Sequence, residues 1–208
     1  MARVSQEHLD ARRRQILDGA ALCFARNGFH ATSMQDVLKE VDLSAGAVYR
    51  YFSGKDELIG AIVTEALETV GEVFNGAARE TPPPLPDVLM PRVLAEMRER
   101  RPLLLEGGEW MFPRLLVQVW TETLRNEQLA ALLGPGFDRI RDAWREVAES
   151  YRRAGLLSED VDADTLARVM VAVVQGFAVQ TALFGDIPEE TLRAGLRALM
   201  SLGGSQLG

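Results

Sequence analysis

Apolar positions recur at helical spacing along most of the chain. Ile16, Leu17, Ala20, Ala21 and Phe24 form one face of a helix predicted over Ala11–Arg26, which Gly28 ends as a C-cap would. Met34, Val37, Leu38 and Val41 follow at i, i+3, i+4 and i+7. Leu58, Ile59, Ile62, Ala66, Leu67 and Val70 mark a longer helix from about Asp56 towards Phe74. Thr81-Pro82-Pro83-Pro84 forbids helix, and the next pattern runs from Leu85 or Pro86 to Arg100, with Val88, Leu89, Val93, Leu94 and Met97 inward. Gly107-Gly108 is a second break. Glu109–Leu124 is then apolar and aromatic, with Pro113 near its start, where proline is tolerated. Gly134-Pro135-Gly136 reads as a further break before a helix ending near Ala154. The last two helices are predicted over Asp162–Phe184 and Pro188–Leu202. The fold class is therefore all-α.

The most informative stretch is Thr32–Lys55, TSMQDVLKEVDLSAGAVYRYFSGK. Thr32 with Gln35 has the spacing of a capping box, Asp42-Leu43 is a turn, Ser44 caps a second short helix, and Ser53 before Asp56 starts a third. Three helix starts this close make a compact helix-turn-helix. On the second helix Val48 and Phe52 point inward, so Gly46 and Arg50 point outward with Tyr49 beside them. Glycine in a first turn costs roughly 0.8–1 kcal/mol against alanine, but its bare backbone allows close approach to another surface. The Tyr49 and Tyr51 hydroxyls can donate to phosphate, Arg50 can fork onto a guanine edge or a phosphate, and Lys55 adds a cation. The same pattern also occurs in helical proteins that bind no DNA, where tyrosines merely roof a small core.

Residues 13–62 resemble the DNA-binding domain of the TetR/AcrR family of transcriptional regulators. The resemblance rests on ILDGAALCFARNGFHATSM at Ile16–Met34, SAGAVYRYF at Ser44–Phe52 and KDEL at Lys55–Leu58. It implies DNA contacts by Thr32, Ser33, Ser44, Ala45, Gly46, Tyr49, Arg50, Tyr51 and Lys55. One departure is Asp42, where the family usually has glycine; aspartate tolerates the left-handed conformation better than most residues. The resemblance further implies an N-terminal three-helix helix-turn-helix DNA-binding domain with an N-terminal arm, residues 1–55, and a C-terminal helical ligand-binding and dimerisation domain, residues 56–208. A helix shared by the two is the natural carrier of a signal between them.

Charge sharpens this picture. The chain of 208 residues has a formal net charge of −7. Residues 1–60 hold eight Lys/Arg and eight Asp/Glu, so the whole deficit lies in residues 61–208. A neutral reading head predicts modest non-specific binding and reliance on local contacts, while acidic residues keep the rest of the protein off the phosphates. Arg12, Arg13 and Arg14 near the first helix start are unfavourable for its dipole, which makes one of them a candidate phosphate contact; Arg3 is a candidate minor-groove arm. The single Cys23 excludes an internal disulfide and fits a reducing cytoplasm. From the polar and charged residues after Met1 no signal peptide is expected, and the uncharged run Val169–Gly185 is expected to be too short and too polar to cross a membrane. One Cys and two His leave no usual zinc set, and no phosphate loop or nucleophile motif is present. No enzyme activity, metal or cofactor is expected.

The C-terminal region carries two further expectations. Trp110, Phe112, Trp120, Trp144, Met170 and Phe177 are candidates for lining a pocket for a small hydrophobic effector, although aromatic residues at this spacing also build cores. Glu106, Glu109 and Glu122 nearby suggest a lipophilic cation. The helix over Asp162–Phe184 is apolar nearly all round and must be covered on more than one side. Val169, Val173, Gly176 and Gln180, with Leu192, Leu196 and Leu199 of the last helix, are the candidate homodimer seam. The chain is thus expected to be a homodimeric, ligand-responsive repressor acting on a palindromic double-stranded operator. The alternative is a helix-turn-helix protein whose C-terminal domain binds a protein partner instead.

Overall fold

A computed structural model describes residues 6–100, 104–185 and 187–202. Arg3 therefore lies outside the described residues. Among them there are nine α-helices and one two-stranded hairpin, so the all-α expectation holds. The chain divides into two compact units, Met1–Glu65 with Arg101–Leu133, and Ala66–Arg100 with Gly134–Gly208. Compactness thus groups residues differently from the functional division expected at residue 55.

The first unit contains α1 (Gln6–Asn27), α2 (Met34–Val41), α3 (Ala45–Tyr49), the start of α4 (Lys55–Ala77), strands β1 (Leu105–Glu106) and β2 (Glu109–Trp110), α6 (Phe112–Thr123) and the start of α7 (Glu127–Arg153). α1 begins five residues before the predicted start at Ala11, and Gln6 and Asp10 hydrogen-bond one turn apart on its polar face. Ile16, Leu17, Ala20 and Phe24 are fully buried, as their spacing predicts. They share the core of this unit with Val37, Val48, Leu58, Ile59, Leu115 and Val119. Gly19 is what lets α1 lie against the end of α2: a Cβ there would overlap Val41 Cγ1. The Gly107-Gly108 break is the turn of the hairpin. Both glycines have positive φ, 59° and 88°, which a two-residue hairpin turn requires. Leu105 pairs with Trp110 and Glu106 with Glu109.

The second unit contains the rest of α4 and α7, α5 (Pro86–Arg100), α8 (Ala163–Phe184) and α9 (Glu189–Leu202). Its core includes Phe74 packed on Trp144, with ring centroids 4.6 Å apart, and Leu89, Val93, Val147 and Leu196. α5 packs against α9, and ion pairs join them at both ends, Asp87 to Arg197 and Arg98 to Glu189, each at 3.0 Å. The Asp162 carboxylate caps α8 by accepting from the Thr165 amide at 2.8 Å.

The expected break at Gly134-Pro135-Gly136 is corrected: α7 runs through it. Proline costs a helical hydrogen bond and invites a kink, but Gly136 is buried and its missing Cβ leaves the space that Leu67 fills. Packing thus outweighs local preference there. The expectation for α8 also changes. By length and hydropathy this helix could cross a membrane, with a mean hydropathy of 1.6, yet only 22% of that stretch is buried.

Candidate nucleic-acid interface

The helix-turn-helix is built by short polar contacts. Ser33, not Thr32, is the N-cap of α2, and Asp36, not Gln35, completes the capping box. The Ser33 amide and hydroxyl donate to Asp36 Oδ2 at 2.8 and 2.6 Å, and the Asp36 amide donates back to Ser33 Oγ at 3.2 Å. These bonds hold the Asp36 carboxyl below the usual carboxylate range. Thr32 is buried, and its hydroxyl donates to the carbonyls of Gly28 at 2.8 Å and Cys23 at 3.1 Å. Its hydroxyl is thus committed to closing the loop between α1 and α2. Asp42 takes the left-handed conformation, φ 52°, and ends α2 as the sequence predicts. Ser44 Oγ accepts from the Ala47 amide, capping α3. The third cap is Ser53 with Glu57 rather than Asp56: the Ser53 amide and hydroxyl donate to Glu57 at 2.7 and 2.8 Å.

These caps present one open face. Ser33, Ser44, Ala45, Gly46, Tyr49 and Arg50 are exposed. A Cβ on Gly46 would meet nothing within 4 Å, so its backbone is open to a close-fitting partner. Tyr49 is 49% exposed, and Tyr51 is half-buried. Among the described residues the Arg50 guanidinium has no ionic partner and is free to fork onto an acceptor pair. Lys55 is placed differently from the expectation. Its ammonium donates to the Phe29 carbonyl at 2.8 Å and lies 4.6 Å from the Phe29 ring centroid, so it serves the fold first. Of the three arginines near the start of α1, Arg13 is engaged by Glu65 and lies over the Phe52 ring, and Arg12 donates to Gln15. Arg14 is exposed. Cys23 is buried, which pushes its thiol up to about 11, so it is a neutral core group.

Two family patterns match this chain. That of the bacterial regulatory proteins of the tetR family covers residues 16–62, which include α2, the turn and α3. That of the C-terminal part of BetI-type transcriptional repressors covers residues 111–202. The chain belongs to the TetR family. The HTH-type transcriptional repressor Rv1474c of Mycobacterium tuberculosis is similar to it, 29% identical over 198 residues, with 91% of each chain covered. The HTH-type transcriptional repressor AcnR of Corynebacterium diphtheriae is 28% identical, covering 88% of this chain and 87% of its own. Among solved structures, Salmonella enterica GusR is 28% identical, covers 95% of this chain and 98% of its own, and superposes with a TM-score of 0.70. The chain is thus a DNA-binding helix-turn-helix regulator, and the relatives it resembles are regulators rather than enzymes. Among the described residues no group of His, Cys, Asp or Glu is arranged to hold a metal.

The other candidates in this TetR-family chain fall into both units. Trp110, Phe112 and Trp120 belong to the first, and Trp144, Met170 and Phe177 to the second. Trp110, Phe112, Trp144 and Met170 are buried, and Trp120 and Phe177 are half-buried. Among the described residues the Trp120 and Trp144 indole N–H groups find no acceptor. The three glutamates thought to suit a cation already have side-chain partners of their own. Glu106 pairs with Arg26 at 2.6 Å, Glu109 with Arg114 at 3.0 Å, and Glu122 with His30 at 2.8 Å. In the candidate dimer seam Val169 and Gln180 are exposed, and Val173, Gly176 and Leu192 are half-buried. Leu199 is 63% exposed, whereas Leu196 is buried inside its own unit and so is withdrawn from the surface. Sequence reasoning missed Leu183 and Phe184, which are 64% and 81% exposed. The signal was present, because Leu183 continues the spacing of Val169, Val173, Gly176 and Gln180.

Proposed function

We propose that the chain is a repressor that binds a palindromic operator as a homodimer and is released by a small, neutral, hydrophobic molecule held by the region after residue 55. The observation that carries the DNA part is the outward face of α3. There an open Gly46 backbone, an exposed Tyr49 and the Arg50 guanidinium, which has no ionic partner among the described residues, stand on a helix capped by Ser44. That set supplies both phosphate contacts, which fix register, and a base-edge contact, which gives specificity. Ser33, Ser44, Ala45 and Tyr51 border it. Thr32 and Lys55 support it from behind.

The dimer reading rests on α8. Val169, Leu183 and Phe184 expose large apolar surface on one protomer, and a helix so exposed needs a second covering layer. A second copy suits it better than a bilayer, because Arg168, Gln175 and Gln180 are exposed on the same helix and would face hydrocarbon. The neutral character of the effector is read from the paired glutamates and from the Trp120 indole, a donor that lacks an acceptor among the described residues. A molecule carrying a carbonyl or ether oxygen satisfies such a donor.

The deciding experiment is selection of bound DNA from a random pool with the full-length protein at stated salt. The expected outcome is a two-fold symmetric consensus with half-sites about one helical turn apart. Failure to enrich any motif from a folded, ligand-free sample would reject the DNA-reading role of α3. With the consensus in hand, Arg50→Ala is expected to relax preference at one or two base positions. A good bidentate pair discriminates by about 1–3 kcal/mol. Tyr49→Phe is expected to weaken binding evenly across operator sequences in a gel-shift titration, because a phosphate contact carries no sequence information.

A further inference from the structure

The loop Gly28–Ser33 decides where α2 begins, and through the turn at Asp42 it also sets the position of α3. Thr32 and Lys55 hold this loop from within the three-helix bundle. It is also held from a part of the chain some ninety residues away. Glu122, in the last turn of α6, places Oε2 2.8 Å from His30 Nε2 in the middle of the loop. Gln118, one turn earlier on α6, lies where a Cβ on Gly28 would touch it at 3.2 Å. At the end of α1, the Arg26 guanidinium is shared between Glu40 of α2 at 2.7 Å and Glu106 of the hairpin at 2.6 Å. Lastly, Asn126, just after α6, donates to Asp56 at the start of α4 at 3.3 Å. The hairpin and α6 thus touch each end of the helix-turn-helix support.

We propose that Glu122 and Glu106 are positioning residues for the DNA reader. Through His30 and Arg26 they fasten the hairpin and α6 to the corner between α1 and α2, so that the placement of α6 sets the placement of α2 and α3. This rests on the proposed role of α3 in reading an operator. The two pairs differ in physical character. The Glu122 side chain is 6% exposed and the His30 side chain 67% exposed, so losing the imidazole strands a desolvated carboxylate. α6 can therefore shift only by dragging the loop with it or by giving up that partner. The Glu106 pair lies at the surface and is weaker, but it competes with Glu40 for one guanidinium, so withdrawal of the hairpin leaves Arg26 to α2 alone. The charged groups on neighbouring elements are Glu40, which shares Arg26, Lys55, which bonds the Phe29 carbonyl next to His30, and Asp56, which accepts from Asn126. Such contacts offer a route from α6 to the reader that does not pass along α4.

The test compares full-length wild type with His30→Ala, Glu122→Gln, the double variant and His30→Lys. Operator affinity is measured on the duplex obtained by selection, and amide hydrogen exchange is followed over Gly28–Val37. His30→Ala and Glu122→Gln are each expected to weaken operator binding by about tenfold, and the double variant by no more than the weaker-binding single. His30→Lys keeps a nitrogen donor opposite Glu122 and is expected to bind as wild type does, a rescue that a merely local loop role would not produce. Glu122→Gln is expected to speed exchange across Gly28–Val37, although the substitution is in α6. Affinities within about twofold of wild type, or losses that multiply in the double variant, overturn the proposal. Unchanged exchange in Glu122→Gln also overturns it. If the wild type selects no operator, the reading of α3 fails on its own account, and the exchange result still decides whether α6 holds the loop.

Discussion

At the scale of single residues, the reader depends on groups that lower the cost of tight turns. Asp42 occupies the left-handed region, where most side chains are strained and Asp or Asn least so. Ser33 with Asp36 satisfies amides at the start of the short α2, and Glu57 of α4 accepts from the Ser53 amide just before that helix. Both carboxyls are held below their ordinary range, Asp36 by bonds from the Ser33 hydroxyl and amide, Glu57 by bonds from the Ser53 amide and hydroxyl. The sign follows. A carboxyl whose pKa is lower in the folded chain contributes stability that is fully present above its unfolded value, near 4, and is lost as pH falls through the folded value. Below about pH 4 the melting temperature is therefore expected to fall. In the Asp36→Asn, Glu57→Gln double variant that fall is expected to be shallower, as measured by circular dichroism across a pH series.

At the scale of elements, the placement of α2 on α1 turns on one missing methyl group. Gly19 is buried, and a Cβ there would overlap Val41. Gly19→Ala is thus expected to destabilise the protein by about 1–3 kcal/mol despite the better helix propensity of alanine. Adding Val41→Ala should recover part of that loss, which urea denaturation of the two variants will measure. The helical pattern itself was legible in the chain, because apolar spacing and caps are local signals. Two features were not. The hairpin at Leu105–Trp110 has two residues per strand, too few for any alternation to register. The passage of α7 through Pro135 depends on Leu67, which lies far away in the chain.

At the scale of the whole molecule, the exposed apolar side chains of α8 call for burial. Val169, Leu183 and Phe184 of α8, and Leu199 of α9, are large apolar side chains left exposed on one protomer. In the homodimer proposed above, a two-fold copy covers them and also sets the spacing of the two readers. Leu183→Glu is expected to shift the protein from dimer to monomer, read by light scattering during gel filtration. Operator binding should weaken with it, because each half-site is then bound alone. An unchanged mass for that variant would remove this face of α8 from the interface.

The sequence by itself determined the all-helical class, the helix-turn-helix between Thr32 and Lys55, and the outward set Gly46, Tyr49 and Arg50. All of these follow from periodicity, caps and turns that act over a few residues. Only the tertiary structure decided which polar groups were already committed. Thr32 and Lys55 serve the loop from inside, the three glutamates have partners, and Leu196 lies in the protomer core. The physical reason is that a hydrogen bond or an ion pair between residues far apart in the chain leaves no periodic trace. Whether a polar side chain is free to meet DNA or an effector depends on neighbours that folding alone brings to it.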